Sequence, residues 1–267
     1  MNGKKKFGFG LIFLVFFLSF IGFLISGPIP QDPGYHLFSD DRLIFGIPKF
    51  WNVISNLPFL LVGFLGLYLI LFSTNMIILP ELKINYSLFF LGVSLVSIGS
   101  AYYHLFPDNQ TLVWDRIPMA IAFMALFSVI LGEFLSITLG RLALWPLVTF
   151  GVFSVIFWSF TENNEAGDLR PYLLVQFIPM LLIPILLIFF NSKFTNALGY
   201  WILLLSYSIA KVFEILDKEI YSMFGIFSGH SIKHVVVAIG IAILLYSYQN
   251  REYRNATFTS INNPSRR

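Results

Sequence analysis

The chain contains no cysteine, which removes disulfides, iron–sulfur clusters and thiolate metal sites from consideration. It is also short of charge. Only 12% of its 267 residues are Asp, Glu, Lys or Arg, where a soluble domain carries about 25%. Histidine is scarce as well, with four in the chain. Hydrocarbon fills the deficit: 57% of residues are hydrophobic, 31 are phenylalanine and the mean hydropathy is +0.78. Long apolar runs recur throughout, so the fold class expected is all-α, a polytopic transmembrane helix bundle. The sequence pI near 9.0 could suggest nucleic acid. The bases gather at the ends of apolar runs, however, where they report topology, and no nucleic-acid partner is expected.

The apolar runs cover 7–26, 50–72, 86–104, 112–135, 142–160, 172–190, 198–216 and 231–248. The first follows Lys4, Lys5 and Lys6, as a signal peptide would. It is about 20 residues long, beyond the roughly 7–15 of a signal h-region, and no clean A-x-A site follows, so a retained helix is expected. The chain then divides into an N-terminal helix or signal anchor (1–27), an extracytoplasmic segment (28–49), a seven-helix core (50–248) and a cytoplasmic tail (249–267). The segment 28–49 is polar and holds Pro28, Pro30, Pro33, Asp40 and Asp41.

Loop charge orients this arrangement. With the N-terminus inside, Lys4, Lys5, Lys6, Lys83, Arg141, Lys193, Arg251, Arg254, Arg266 and Arg267 all fall inside, ten of the seventeen bases. The outer loops keep Arg42, Lys49, Arg170 and Lys218, offset by acids that include Asp32, Asp40, Asp41, Asp108, Glu162, Glu165, Asp168, Asp217 and Glu219. Both termini are therefore predicted to be cytoplasmic.

Three of the four histidines then gather on the outer side. His104 closes the third run, and His230 and His234 open the eighth as an HxxxH pair one helical turn apart. Imidazoles at the margin of a bilayer span need a partner, and a zinc ion held by three histidines with one open position supplies it. Asp115 opens the fourth run on the same side. Its neighbour Arg116 points about 100° away on a helix, so a role for Asp115 beside the metal is expected rather than a pairing with Arg116. Lys211, Glu214 and Asp217 lie three residues apart on the seventh run and read as an internal ion-pair ladder, or else a headgroup contact. Glu133 stands alone nearer the inner side. Gly167–Tyr172 reads as a turn and helix start, with Asp168 as N-cap and Pro171 in the first turn.

Ser100 precedes His104 by four residues, Asp115 follows it by eleven, and His230 and His234 open the last helix. This constellation, with the segment Phe50-Trp51-Asn52-Val53-Ile54-Ser55-Asn56, resembles the alkaline ceramidase family, in wording closest to its bacterial members. That family lies within a superfamily of seven-helix membrane hydrolases that includes the progestin and adipoQ receptors. The resemblance runs from about Tyr35 to Tyr248. It implies zinc on His104, His230 and His234, with Asp115 and Ser100 as the catalytic residues at the metal-bound water. It also implies hydrolysis of ceramide or a related N-acyl lipid to a long-chain base and a fatty acid. Eukaryotic members carry a calcium site whose acidic segment ends in a glutamate just before Phe-Trp-Asn. Here Lys49 holds that position, so calcium is not carried over. A receptor without turnover and a transporter using Lys211, Glu214 and Asp217 are the alternative readings. The transporter would require helices broken near the midplane.

Overall fold

The computed structural model describes residues 2–164 and 166–254. Glu165, Arg266, Arg267 and the tail beyond residue 254 lie outside the described residues. Ten α-helices follow in order: α1 (Gly3–Ile25), α2 (Phe50–Ile54), α3 (Leu57–Phe72), α4 (Lys83–Leu105), α5 (Asn109–Phe134), α6 (Ile137–Asn163), α7 (Arg170–Phe189), α8 (Leu198–Ile215), α9 (Asp217–Phe224) and α10 (Gly229–Gln249). Eight helical stretches are long and apolar enough to cross a bilayer, α2 and α3 together counting as one. Among the described residues there is no strand, only two isolated bridges. The protein is an all-α, multi-pass membrane helix bundle.

Helix α5 is the centre, buried along most of its length and flanked by α4, α6 and α7. It begins at a capping box in which the Asp108 carboxylate accepts from the Thr111 amide at 2.7 Å. The same backbone hydrogen bond, with help from the Thr111 hydroxyl, holds Asp108 below the usual carboxylate range. Helix α1 is almost wholly lipid-facing and meets the bundle through Gly8, which lies against Phe189 and Phe190 of α7.

The run 50–72 is broken at Ser55 and Asn56 rather than continuous. Pro58 has no amide proton for the Ile54 carbonyl, so the helical ladder cannot pass. Side chains take up carbonyls left free at the break: Asn56 Nδ2 donates to Asn52 O at 2.7 Å, and the Ser55 hydroxyl donates to the same oxygen at 3.3 Å. Helix α7 starts at Arg170, so Asp168 stands one residue before the cap position. Its carboxylate accepts the Arg170 amide at 3.0 Å and pairs with the Arg170 guanidinium at 2.7 Å. These contacts hold Asp168 below the usual carboxylate range, the Arg170 side chain contributing most. Arg170 also donates to the carbonyls of Phe23 and Ser26, tying the end of α1 to α7.

At the end of α5 away from Asp115, Glu133 is fully buried and pairs with Arg251 at 2.9 Å. Arg251 is therefore not a solvated tail residue. It folds back under the bundle, donates to Ile77 O at 2.7 Å and packs over the Phe194 ring. Tyr86 donates to Glu133 at 2.5 Å. Removing one partner strands the other as a buried charge, which costs about 3–5 kcal/mol. We expect Arg251→Ala to lower the thermal unfolding midpoint in detergent sharply. The uncharged pair Glu133→Gln with Arg251→Met should recover a large part of the loss, and a single variant with an unchanged midpoint would show that the pair contributes nothing.

Candidate metal centre

Two glycines set the approach of the helices that carry the site. A β-carbon on Gly99 would lie 2.0 Å from the Trp114 carbonyl oxygen, so only glycine lets α4 close on α5 there. Next to that contact Ser100 and Asp115 are both buried and line the same cavity. A β-carbon on Gly229 would lie 2.1 Å from the Phe213 carbonyl oxygen, which seats the start of α10 on the end of α8. Helix α10 opens with a capping box between Ser228 and Ser231, and Ser228 donates to the Asn52 side chain at 3.2 Å.

His104, at the end of α4, meets His230 and His234, at the start of α10. Each offers one ring nitrogen, and these atoms all lie within 4.8 Å of one another. All three side chains are buried. Both nitrogens of His104 are buried without any hydrogen-bond partner. A buried imidazole with neither nitrogen satisfied is costly, and a cation between the three rings would satisfy one of the two. The donor set is three imidazoles with no thiolate or carboxylate, which suits a borderline divalent transition ion. The residues present fit a metal. The fourth histidine, His36, stands apart, bonded to Tyr103 and to Asn109 at 2.9 Å each.

The ligand rings are held from behind. His234 Nδ1 lies 2.8 Å from the Ser55 hydroxyl, which itself donates to the Asn52 carbonyl. The tautomer in which Nδ1–H donates to Ser55 would leave the Nε2 lone pair for the cluster. The break between α2 and α3 is what presents Ser55. His230 is placed through its backbone, whose amide donates to Asp217 Oδ1 at 2.6 Å. Asp217 Oδ2 accepts the Ser39 amide at 3.0 Å, so one carboxylate joins the loop between α1 and α2 to the start of α10. Phe38, one residue earlier, lies edge-on to both His104 and His230, with ring centroids 4.7 Å away in each case. The rest of the loop is pinned by Asp40, which pairs with Arg42 at 2.6 Å, while Arg42 donates to the Gly225 and Ile226 carbonyls. Neither Ser55, Phe38 nor Asp217 is assigned to the site by sequence reasoning. Only Ser55 carries a signal, lying inside the segment Phe50–Asn56.

The polar ladder differs from the sequence expectation. Glu214 pairs with Lys211 at 2.7 Å, but its second partner is Lys233 of α10, at 3.0 Å. Asp217 leaves the ladder because α8 ends at Ile215, and its carboxylate turns to the two backbone amides instead. Arg116 does not pair with Asp115. It donates to Gln31 at 2.6 Å and stacks over Trp158, Tyr172 and Tyr35.

Ser100, Asp115, His230 and His234 line the head of a cavity of about 480 Å³. Its walls are largely apolar and reach Ile130, Ile183 and Tyr200. From Asp115 to Ile130 is about 22 Å along α5, at about 1.5 Å per residue. Tyr35, itself partly exposed, lines the mouth of the cavity. No family model, curated protein or solved structure matches the chain. The protein is a polytopic helical membrane protein with a buried three-histidine metal-binding cluster, as a metal-dependent membrane enzyme would have.

Proposed function

We propose that the protein is a zinc-dependent membrane amidohydrolase that cleaves the N-acyl bond of ceramide or a related lipid, releasing a long-chain base and a fatty acid. One observation carries this reading: a buried three-histidine cluster, with neither nitrogen of His104 bonded to protein, sits with a carboxylate and a hydroxyl at the head of a long apolar cavity. His104, His230 and His234 would hold the ion, and zinc is the metal that three neutral imidazoles with an open position suit best. Bound there, it supplies a Lewis acid and hydroxide at neutral pH. Asp115 acts as general base, taking the proton of the attacking water and passing it to the departing amine. Ser100 donates a hydrogen bond that orients this carboxylate or the developing oxyanion. The apolar wall from Phe123 to Ile130 takes the acyl chain. The resemblance of Ser100, His104, Asp115, His230 and His234 to the alkaline ceramidase pattern supports the same reading. Helix α7 runs unbroken through Pro179 and Pro184, against what a transporter would require. The test is fatty-acid release from N-acyl lipids in mixed micelles by purified protein. No release from any of them would overturn the proposal.

Two consequences follow. Activity should be flat across a calcium titration begun from a calcium-selective chelator. Asp40 is already neutralised by Arg42, and Lys49 stands where a calcium ligand would be. A rise of more than a few-fold that is lost in Asp40→Asn would contradict this. The site should also face away from the cytoplasm, since the loop bases gather at the other side. The native chain has no cysteine, so single substitutions report cleanly. Gln110→Cys, at an exposed outer position, should react with an impermeant thiol reagent in intact cells, and Asn75→Cys should not. The reverse pattern would invert the topology.

A further inference from the structure

Arg116 is 5% exposed, yet it pairs with no carboxylate among the described residues. Its one hydrogen bond runs from Nη2 to the Gln31 carboxamide at 2.6 Å, and Nη1 is buried without a partner. The aromatic rings of Trp158, Tyr172 and Tyr35 hold the guanidinium in place. They accept none of its N–H groups in hydrogen bonds. Asp115, adjacent in sequence, makes no ion pair with it, and the other acids are committed elsewhere. Glu162 accepts from the Gln31 amide at 3.0 Å and from the Trp158 indole at 3.1 Å, and Glu214 is shared by two lysines. Asp32, at the exposed rim, accepts from the Gly34 amide at 2.8 Å. A buried cation without a counter-ion at the margin of a membrane span is unfavourable until an anion completes it.

This unpaired guanidinium lines the same cavity as Ser100, Asp115, His230 and His234. Asp115 and Arg116 line one cavity, so an anion bound to Arg116 shares that cavity with the group Asp115 serves. Guanidinium presents two parallel N–H donors matched to carboxylate, sulfonate or phosphate oxygens. Building on the hydrolase reading above, we infer that Arg116 is a headgroup-binding residue, and that the preferred substrate is an N-acyl lipid whose amine part carries an anionic group close to the scissile amide. The ligand oxygens replace the Gln31 carboxamide oxygen as acceptors and satisfy Nη1. The acyl chain runs in the opposite direction, along α5 toward Ile130.

The experiment measures kcat/KM for a neutral substrate, N-palmitoylethanolamine, against N-palmitoylglycine, N-palmitoyltaurine and ceramide 1-phosphate. It uses the full zinc-loaded chain in detergent, with wild type and Arg116→Gln side by side. The ratio of two substrates on one preparation does not depend on how much of the protein is folded. A charge-assisted contact predicts a preference for at least one anionic substrate of about 10- to 150-fold, collapsing toward unity in Arg116→Gln. Which of the three is favoured tells carboxylate from sulfonate from phosphate. A ratio that Arg116→Gln leaves unchanged, or a wild-type preference for the neutral substrate, overturns the assignment and leaves Arg116 a structural strut. Equilibrium binding of the same four lipids to the hydrolysis-deficient Asp115→Asn protein separates this inference from the hydrolase reading. Binding of an anionic lipid that is lost in Asp115→Asn with Arg116→Gln supports the headgroup site even if no lipid is hydrolysed. Equal binding of all four overturns it even if ceramide is cleaved.

Discussion

His104→Ala is expected to reduce bound metal from about one ion per chain to almost none, and to lower hydrolysis by at least about 10³-fold, the loss of several kcal/mol of transition-state stabilisation. His104 is the sole ligand contributed by α4, and neither of its nitrogens bonds to protein. Removing it therefore sacrifices no internal hydrogen bond, so the bundle should stay folded and the effect should appear in metal content. Ser55→Ala is the graded companion. It leaves all three imidazoles but frees the His234 ring to turn, and should weaken metal affinity about 10–100-fold. Metal analysis of the purified proteins checks both. Wild-type stoichiometry in His104→Ala would remove the histidine cluster from the account.

The second large effect separates holding the ion from using it. Asp115→Asn should keep the metal and lose about 10²–10⁴-fold in turnover, the usual contribution of a general base. Asp115 lines the cavity with Ser100 but does not belong to the group of ligating atoms. Asparagine keeps its shape and one acceptor oxygen while removing the ability to take a proton. Stoichiometric loss of metal in this variant would make Asp115 a ligand or an anchor for one, and the proton-transfer role would be wrong. Turnover close to wild type would place the base elsewhere in the cavity.

The bundle and the histidine cluster were legible in the sequence for different reasons. Apolar runs of bilayer length announce helices directly, and seven of the eight membrane-length stretches appear as single continuous helices. The histidines were legible because HxxxH spacing sets two rings on one helical face, while span order brought His104 to the same end. What supports them was not. Ser55 reaches His234 across 179 positions, and no local pattern encodes that pairing. The break that presents Ser55 was written in Pro58, but hydropathy is blind to a missing amide proton. Asp217 looked like the next rung of a ladder because spacing assumes a helix that continues, and α8 stops at Ile215. Arg251 looked like a tail charge because a polar segment gives no sign that it folds under the bundle to meet Glu133.

Catalysis is proposed to rest on an ion held by His104, His230 and His234. It is tested most directly by following fatty-acid release while metal is removed and returned. The account predicts that purified protein stripped by a chelator loses its hydrolysis in proportion to the ion removed, and regains it when one equivalent of zinc is added. His104→Ala treated alike should regain nothing. Hydrolysis that persists in protein shown to be free of metal would contradict the account, as would recovery in His104→Ala equal to that of the wild type.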